Sequence, residues 1–218
     1  MENMIIKIFK ILLLSIALIS SCAADEQNFS NHFFYAGGMF GNANENWSDV
    51  VSTDPLTQKT NPLSADGNGI LFGLDAGYQF SPHFAIEGEM ISLPSTKLVF
   101  YQKLDPYKTP DNMYNVGVVN ASMVFAAVEF KVIAPLPNSK FSLFVDAGPG
   151  YVYMDYPITN IGIIVPTFGG GLLYRINDHW QAEGAFQYAP GTGKSVGDPM
   201  YFFVPETYAG TFKLDYIF

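Results

Sequence analysis

The chain has 218 residues, enough for one domain, and only 14% of them are charged, against roughly 25% in an average soluble domain. Its net charge of −9 argues against nucleic acid as a partner, and a single cysteine rules out any intrachain disulfide. Aromatic residues reach 16%, and with 20 Gly and 14 Pro the composition fits strands, tight turns and interfacial belts rather than disorder or collagen.

Residues 1–24 read as a secretory signal. Lys7 and Lys10 supply positive charge, and Ile11 to Ile19 form an apolar run too short to span a bilayer as a helix. Two cleavage readings stand. Ile19-Ser20-Ser21-Cys22 resembles a lipoprotein box that would leave Cys22 as a lipidated N-terminus, whereas Cys22-Ala23-Ala24 suits ordinary cleavage before Asp25. Either way the chain is exported, with a short N-terminal segment at 25–32 and one domain over 33–218.

Downstream, no run of 18 or more uninterrupted apolar residues appears, so no transmembrane helix is expected. Alternating segments of about ten residues appear instead. A first strand is expected over about 33–43. Residues 70–80 place Phe72, Leu74, Ala76, Tyr78 and Phe80 on one face and Asp75 and Gln79 on the other. After a turn at Ser81-Pro82, Phe84, Ile86 and Met90 oppose Glu87 and Glu89. Val124, Val128, Phe130 and Val132 then oppose Glu129 and Lys131. This strand is ambiguous with a helix by composition, but its β-branched residues and same-side charges favour the strand. Past a turn at 135–140, Phe141, Leu143 and Val145 oppose Asp146. Phe168, Leu172 and Tyr174 oppose Arg175, and beyond Asn177-Asp178 Trp180 and Phe186 oppose Gln181, Glu183 and Gln187.

The last eleven residues carry the clearest signal. Tyr208, Gly210, Phe212, Leu214, Tyr216 and Phe218 form one face, and Thr211, Lys213 and Asp215 lie on the other. The count is eight strands. Short connections at 81–82, 135–140 and 177–178 alternate with long ones at 44–68, 95–115, about 155–162 and 190–205. The expected fold is all-β: an eight-stranded antiparallel transmembrane β-barrel of up-and-down topology, closed so that no edge meets lipid. Short turns and both termini are expected on the periplasmic side, in a bacterial outer membrane.

The segments GLDAGYQFSPHFAIEGEM (73–90), FVDAGPGY (144–151), GGGLLYRINDHWQAEGAFQY (169–188) and TFKLDYIF (211–218) occur in order. Through them the chain resembles the outer-membrane β-barrel family that includes the membrane domain of OmpA and the opacity-type surface proteins. The resemblance covers roughly 33–218. It implies contact with outer-membrane lipid and handling by the barrel-assembly machinery, with Phe218, and Tyr216 and Phe212 behind it, as the assembly signal. The chain ends at the barrel, so the soluble peptidoglycan-binding domain of full-length OmpA-type proteins is not implied.

By alternation, Asp75, Glu87, Glu89, Glu129, Lys131, Asp146, Arg175, Glu183, Lys213 and Asp215 all point inward. Charges in a narrow, weakly polar lumen must be paired or hydrated. Two readings compete, a cation-preferring channel and a packed network that plugs the barrel. Eight strands leave an interior just wide enough for side chains, which favours the plug.

No catalytic, metal or cofactor site is expected. His32, His83 and His179 flank turns or the first strand and belong to no recognisable Ser-acid motif, which leaves an envelope lipid-modifying enzyme without a match. Gly191-Thr192-Gly193-Lys194-Ser195 lacks the first glycine of a phosphate loop, since residue 188 is Tyr, and reads as a loop. A soluble lipocalin-like carrier is disfavoured because aromatics and charges lie on the wrong faces for a lipid-binding cup. The sequence therefore points to a non-enzymatic surface barrel, serving envelope integrity, adhesion or immune exposure. An extracellular ligand would meet the acidic segment 44–68 or the aromatic, basic segment 95–115. Strand extension above the membrane is the plainer reading of those segments.

Overall fold

A computed structural model describes residues 32–48, 51, 62–103, 114–155, 160–192 and 203–218. The signal segment, Cys22, and parts of the four long connections lie outside the described residues. Among the described residues there are ten strands: β1 (Phe33–Asn46), β2 (Ser64–Asp66), β3 (Asn68–Ser81), β4 (Phe84–Ser92), β5 (Thr96–Lys103), β6 (Tyr114–Pro135), β7 (Phe141–Asp155), β8 (Asn160–Arg175), β9 (Trp180–Ala189) and β10 (Glu206–Ile217). Eight of them close a ring. Each of β1, β3, β4, β6, β7, β8, β9 and β10 pairs antiparallel with the next, and β10 returns to β1. The fold is a closed, eight-stranded up-and-down barrel.

Side chains alternate as the period of two requires. On β4, Phe84, Ile86 and Met90 are exposed on the outer face while Ala85, Glu87, Glu89 and Ile91 are buried inside. The outer face is apolar, and near the short turns it carries an aromatic ring to which every barrel strand contributes. Phe34 packs on Tyr78 at 4.5 Å, Phe84 on Phe130 at 5.7 Å, Phe141 on Tyr174 at 4.6 Å and Trp180 on Tyr216 at 5.3 Å. Such a girdle suits the boundary between hydrocarbon and water, where amphipathic rings are stable.

The strands run longer than the alternation predicts. β1 reaches Asn46 rather than 43, and β8 starts at Asn160 rather than near 168. Much of the expected loop 95–115 is strand. β5 pairs with the first third of β6, and β2 adds to β5, so a three-stranded sheet rises from the loop end of the wall. The cause of the discrepancy at β5 is a change of register. β4 pairs with β6 as Ser92↔Val124, but β5 resumes as Thr96↔Ala121, one residue out of step. The extra residue falls at Leu93–Ser95, around Pro94. Inward positions therefore switch from odd (Leu93) to even (Thr96, Leu98), which erases the pattern.

One seam is thin. The β6–β7 ladder keeps its register from Ala127↔Gly150 to Phe130↔Ala147 but lacks the two pairs between. Pro149 sits there and has no N–H to donate.

Candidate functional site in the barrel lumen

The interior has three zones. Near the short turns, Phe33, Tyr35 and Ile217 make one small apolar cluster, and Ala85, Ile133, Phe144 and Leu173 another. At the loop end a larger apolar core fills the lumen, built around Met39, Leu71, Ile91, Phe125, Met154 and Val165. The charges lie between.

In that middle belt two lysines, each 1% exposed, hold the centre. The Lys131 ammonium donates to Glu87 Oε2 and Glu183 Oε2, both at 2.7 Å. Lys213 donates to Glu87 Oε1 and, at 3.2 Å, to Glu89 Oε2, and stands 3.4 Å from Glu183 Oε1. Neutral donors complete the set: Tyr35 Oη to Glu87 Oε2 at 2.7 Å, Gln187 Nε2 to Glu89 Oε1 at 2.7 Å, and Gln181 Nε2 to Asp215 Oδ2 at 3.0 Å. The Lys131 ammonium also lies 4.5 Å from the Phe144 ring centre. The inward glycines make room. A Cβ on Gly77 would come within 2.3 Å of the Tyr35 ring, so the bare backbone there lets the phenol reach Glu87.

Of the ten charges the alternation turns inward, nine are buried in this belt. Asp75, Asp146 and Glu129 lie among them without completing their hydrogen bonds. Arg175 is the departure. It is only half-buried, stacks 4.3 Å above the Phe33 ring, and reaches Gln181 Oε1 at 3.4 Å, at the turn end rather than in the ion-pair network.

A second polar cluster lies at the loop-end rim, and sequence reasoning did not single it out. Glu45, near the end of β1, is 5% exposed. Its Oε2 accepts from Trp47 Nε1 at 3.0 Å and from the Thr96 hydroxyl of β5, and its N–H donates to Gly67 O at 3.3 Å. The Trp47 ring packs 5.6 Å from Phe203, just before β10. Glu45 and Trp47 together thus tie three connections, 44–68, the start of 95–115 and the end of 190–205. Glu45 stands above the apolar band, because the outer face of β1 has already turned to Asn42 and Asn44. Burial lifts its carboxyl from 4.5 to about 7, against the two donors.

His83 and His179 sit at the short turns, and His32 directly precedes β1. His83 Nδ1 lies 3.2 Å from Ile133 O, and the His179 ring packs 5.9 Å from Tyr216. Phe212, Tyr216 and Phe218 all face outward, and Phe218 is 76% exposed. In the glycine segment, Thr192 bridges to Val204, and residues 193–195 lie outside the described residues.

A family model for the outer membrane protein beta-barrel domain matches residues 11–194. The chain belongs to this outer-membrane β-barrel family. Among solved structures it is similar to the outer membrane protein OprG from Pseudomonas aeruginosa, at 13% identity and a TM-score of 0.54, covering 89% of this chain and 99% of that one. It is also similar to Neisserial surface protein A, at 11% identity and a TM-score of 0.50, covering 88% of this chain and 100% of that one. At such identities the likeness to these outer-membrane barrels speaks to the fold alone. Comparison with curated proteins finds no match.

Proposed function

We propose that this barrel is a closed, non-enzymatic scaffold of the outer membrane whose working surface is its loop end. One observation carries the reading: the loop-end half of the lumen is packed with apolar side chains. Leu71, Ile91, Met123 and Met154 are each at most 2% exposed, a packed layer that leaves little room for a column of water. An ion crossing from the charged belt would have to pass this layer dry, which is prohibitive.

The same packing supports the three-stranded sheet of β2, β5 and β6. Leu98 of β5 and Ala121 of β6 are fully buried in the apolar core, while Lys97 and Asn120 face outward. A rigid sheet standing above the apolar band offers a platform for contact with an extracellular partner, alongside segments 44–68 and 95–115. Short turns and both termini face the periplasm in this reading, and residues 1–24 are removed on export.

The test combines two measurements on the full mature protein. The refolded barrel in a planar bilayer should give no steady conductance, and a cysteine at Lys97 should react with an impermeant thiol reagent on intact cells. Discrete conductance steps altered by Glu87→Gln would replace the scaffold with a cation-preferring channel. Labelling only after the outer membrane is opened would reverse the orientation.

A further inference from the structure

The charged belt is unbalanced, and the imbalance is localised. Seven buried carboxylates face two buried ammonium groups. Lys131 and Lys213 spread their contacts over Glu87, Glu89 and Glu183. Across the ladder, Asp75 of β3 lies directly opposite Glu89 of β4, and Glu87 of β4 directly opposite Glu129 of β6. Like charges in opposed positions are destabilising even on a solvated sheet, and here there is little solvent.

Glu129 is the clearest case. It is 1% exposed, and neither of its carboxylate oxygens has a hydrogen-bond partner. Thr167 lies beside it, but the single hydroxyl hydrogen of Thr167 goes to Gly148 O at 3.0 Å. Oxygen atoms of Glu87, Glu89 and Glu129 all lie within 4.8 Å of one another. A cavity of about 20 Å³ beside Glu129 is lined mainly by apolar side chains, Ile91, Leu93 and Phe125 among them.

We propose that Glu87, Glu89 and Glu129 bind a single calcium-class divalent cation inside the barrel. The donor set is all carboxylate oxygen, which selects a hard cation. Lone pairs remain for it. Glu129 uses none of its acceptor capacity, Glu89 accepts one bond at each oxygen, and Glu87 accepts two at Oε2 and one at Oε1. Magnesium gives up its waters reluctantly, so a buried, all-carboxylate site suits calcium better. With apolar layers on both sides, the ion enters as the barrel closes and sits against Glu129, the one carboxylate of the three that neither lysine touches.

The experiment refolds the mature protein with and without calcium chloride as the sole divalent ion. Folding is verified by heat-modifiable gel mobility, and bound calcium is counted after exhaustive gel filtration. The expected result is a single retained calcium ion per folded chain and a higher unfolding temperature for the calcium-refolded protein. Glu129→Gln, of the same shape, should lose both effects, as should Glu89→Gln if one variant fails to fold. Glu45→Gln, which removes a buried acid outside the belt, should keep both. Folded wild-type barrel without stoichiometric calcium would overturn the site, and so would retention undiminished in folded Glu129→Gln. The latter result would place the ion on the acidic loops.

Discussion

Lys213 on β10 stands in direct register with Glu183 on β9, yet its closest ion pair reaches across the lumen to Glu87 on β4. The belt is therefore a cross-barrel tie rather than a set of neighbouring-strand pairs. Removing the ammonium leaves Glu87, Glu89 and Glu183 with only Lys131 to offset them. Lys213→Met should destabilise the barrel by about 3–5 kcal/mol, the usual cost of stranding a buried charge. Urea unfolding in lipid vesicles measures it. Adding Glu183→Gln to Lys213→Met should recover part of the loss, and simple additivity of the two costs would show that they do not act through the shared pair.

Glu45 should make the loop-end rim sensitive to pH. Burial raises its carboxyl from 4.5 to about 7 in the folded chain. The folded state therefore holds the proton where the unfolded state has released it. Stability from this group is fully present below about 4.5, falls as pH rises, and is lost above about 7. The report comes from Trp47, one of two tryptophans, with Trp180 replaced by Phe. Quenching of Trp47 by aqueous iodide should rise between pH 5 and 8, and Glu45→Gln should flatten the profile. An unchanged profile in that variant would assign the transition to another group.

The barrel was legible because β3, β4, β7, β9 and β10 each carry apolar residues outward and charges inward through the middle of the wall. That contrast made strand count and facing readable from a period of two. It fails in the loop-end half, where the inner face is apolar as well. Asn160-Ile161-Gly162-Ile163-Ile164-Val165 is strand throughout, but Ile161, Ile163 and Val165 face the core while Ile164 faces out. With nothing polar on either side, alternation has nothing to mark. β5 was hidden differently, by the register change at Pro94. The inward direction of the charges was readable, whereas their partners were not. Which carboxylate meets Lys131 depends on closure across the barrel, with β4 and β9 supplying Glu87 and Glu183.

The thin β6–β7 seam gives a backbone prediction. A Cβ on Gly148 would fall 1.9 Å from the carbonyl oxygen of Val128, on the stretch where the ladder already lacks two pairs. Gly148→Ala must push the two strands apart and should cost about 1–3 kcal/mol, as overpacking does. Gly184→Ala is the matched control, since a methyl there meets nothing within 4 Å. Comparable urea midpoints for the two variants would mean that the seam relaxes at no cost.

Phe218 separates assembly from stability. Its ring is 76% exposed and packs edge-on against Tyr216 of the outer girdle, at 5.2 Å between ring centres. Its backbone is better anchored, with the N–H donating to Phe34 O at 2.9 Å. Phe218→Ser keeps that bond and gives up one ring in the girdle. Truncating a largely exposed aromatic forfeits only part of the about 1.5–3 kcal/mol of full burial, so the unfolding midpoint of refolded protein should move little. If the terminal aromatic is read by the barrel-assembly machinery, the same variant should accumulate in cells as unassembled, protease-sensitive chain. Equal losses in refolding and in cells would place the role of Phe218 in packing alone, and normal assembly in cells would remove it as a signal.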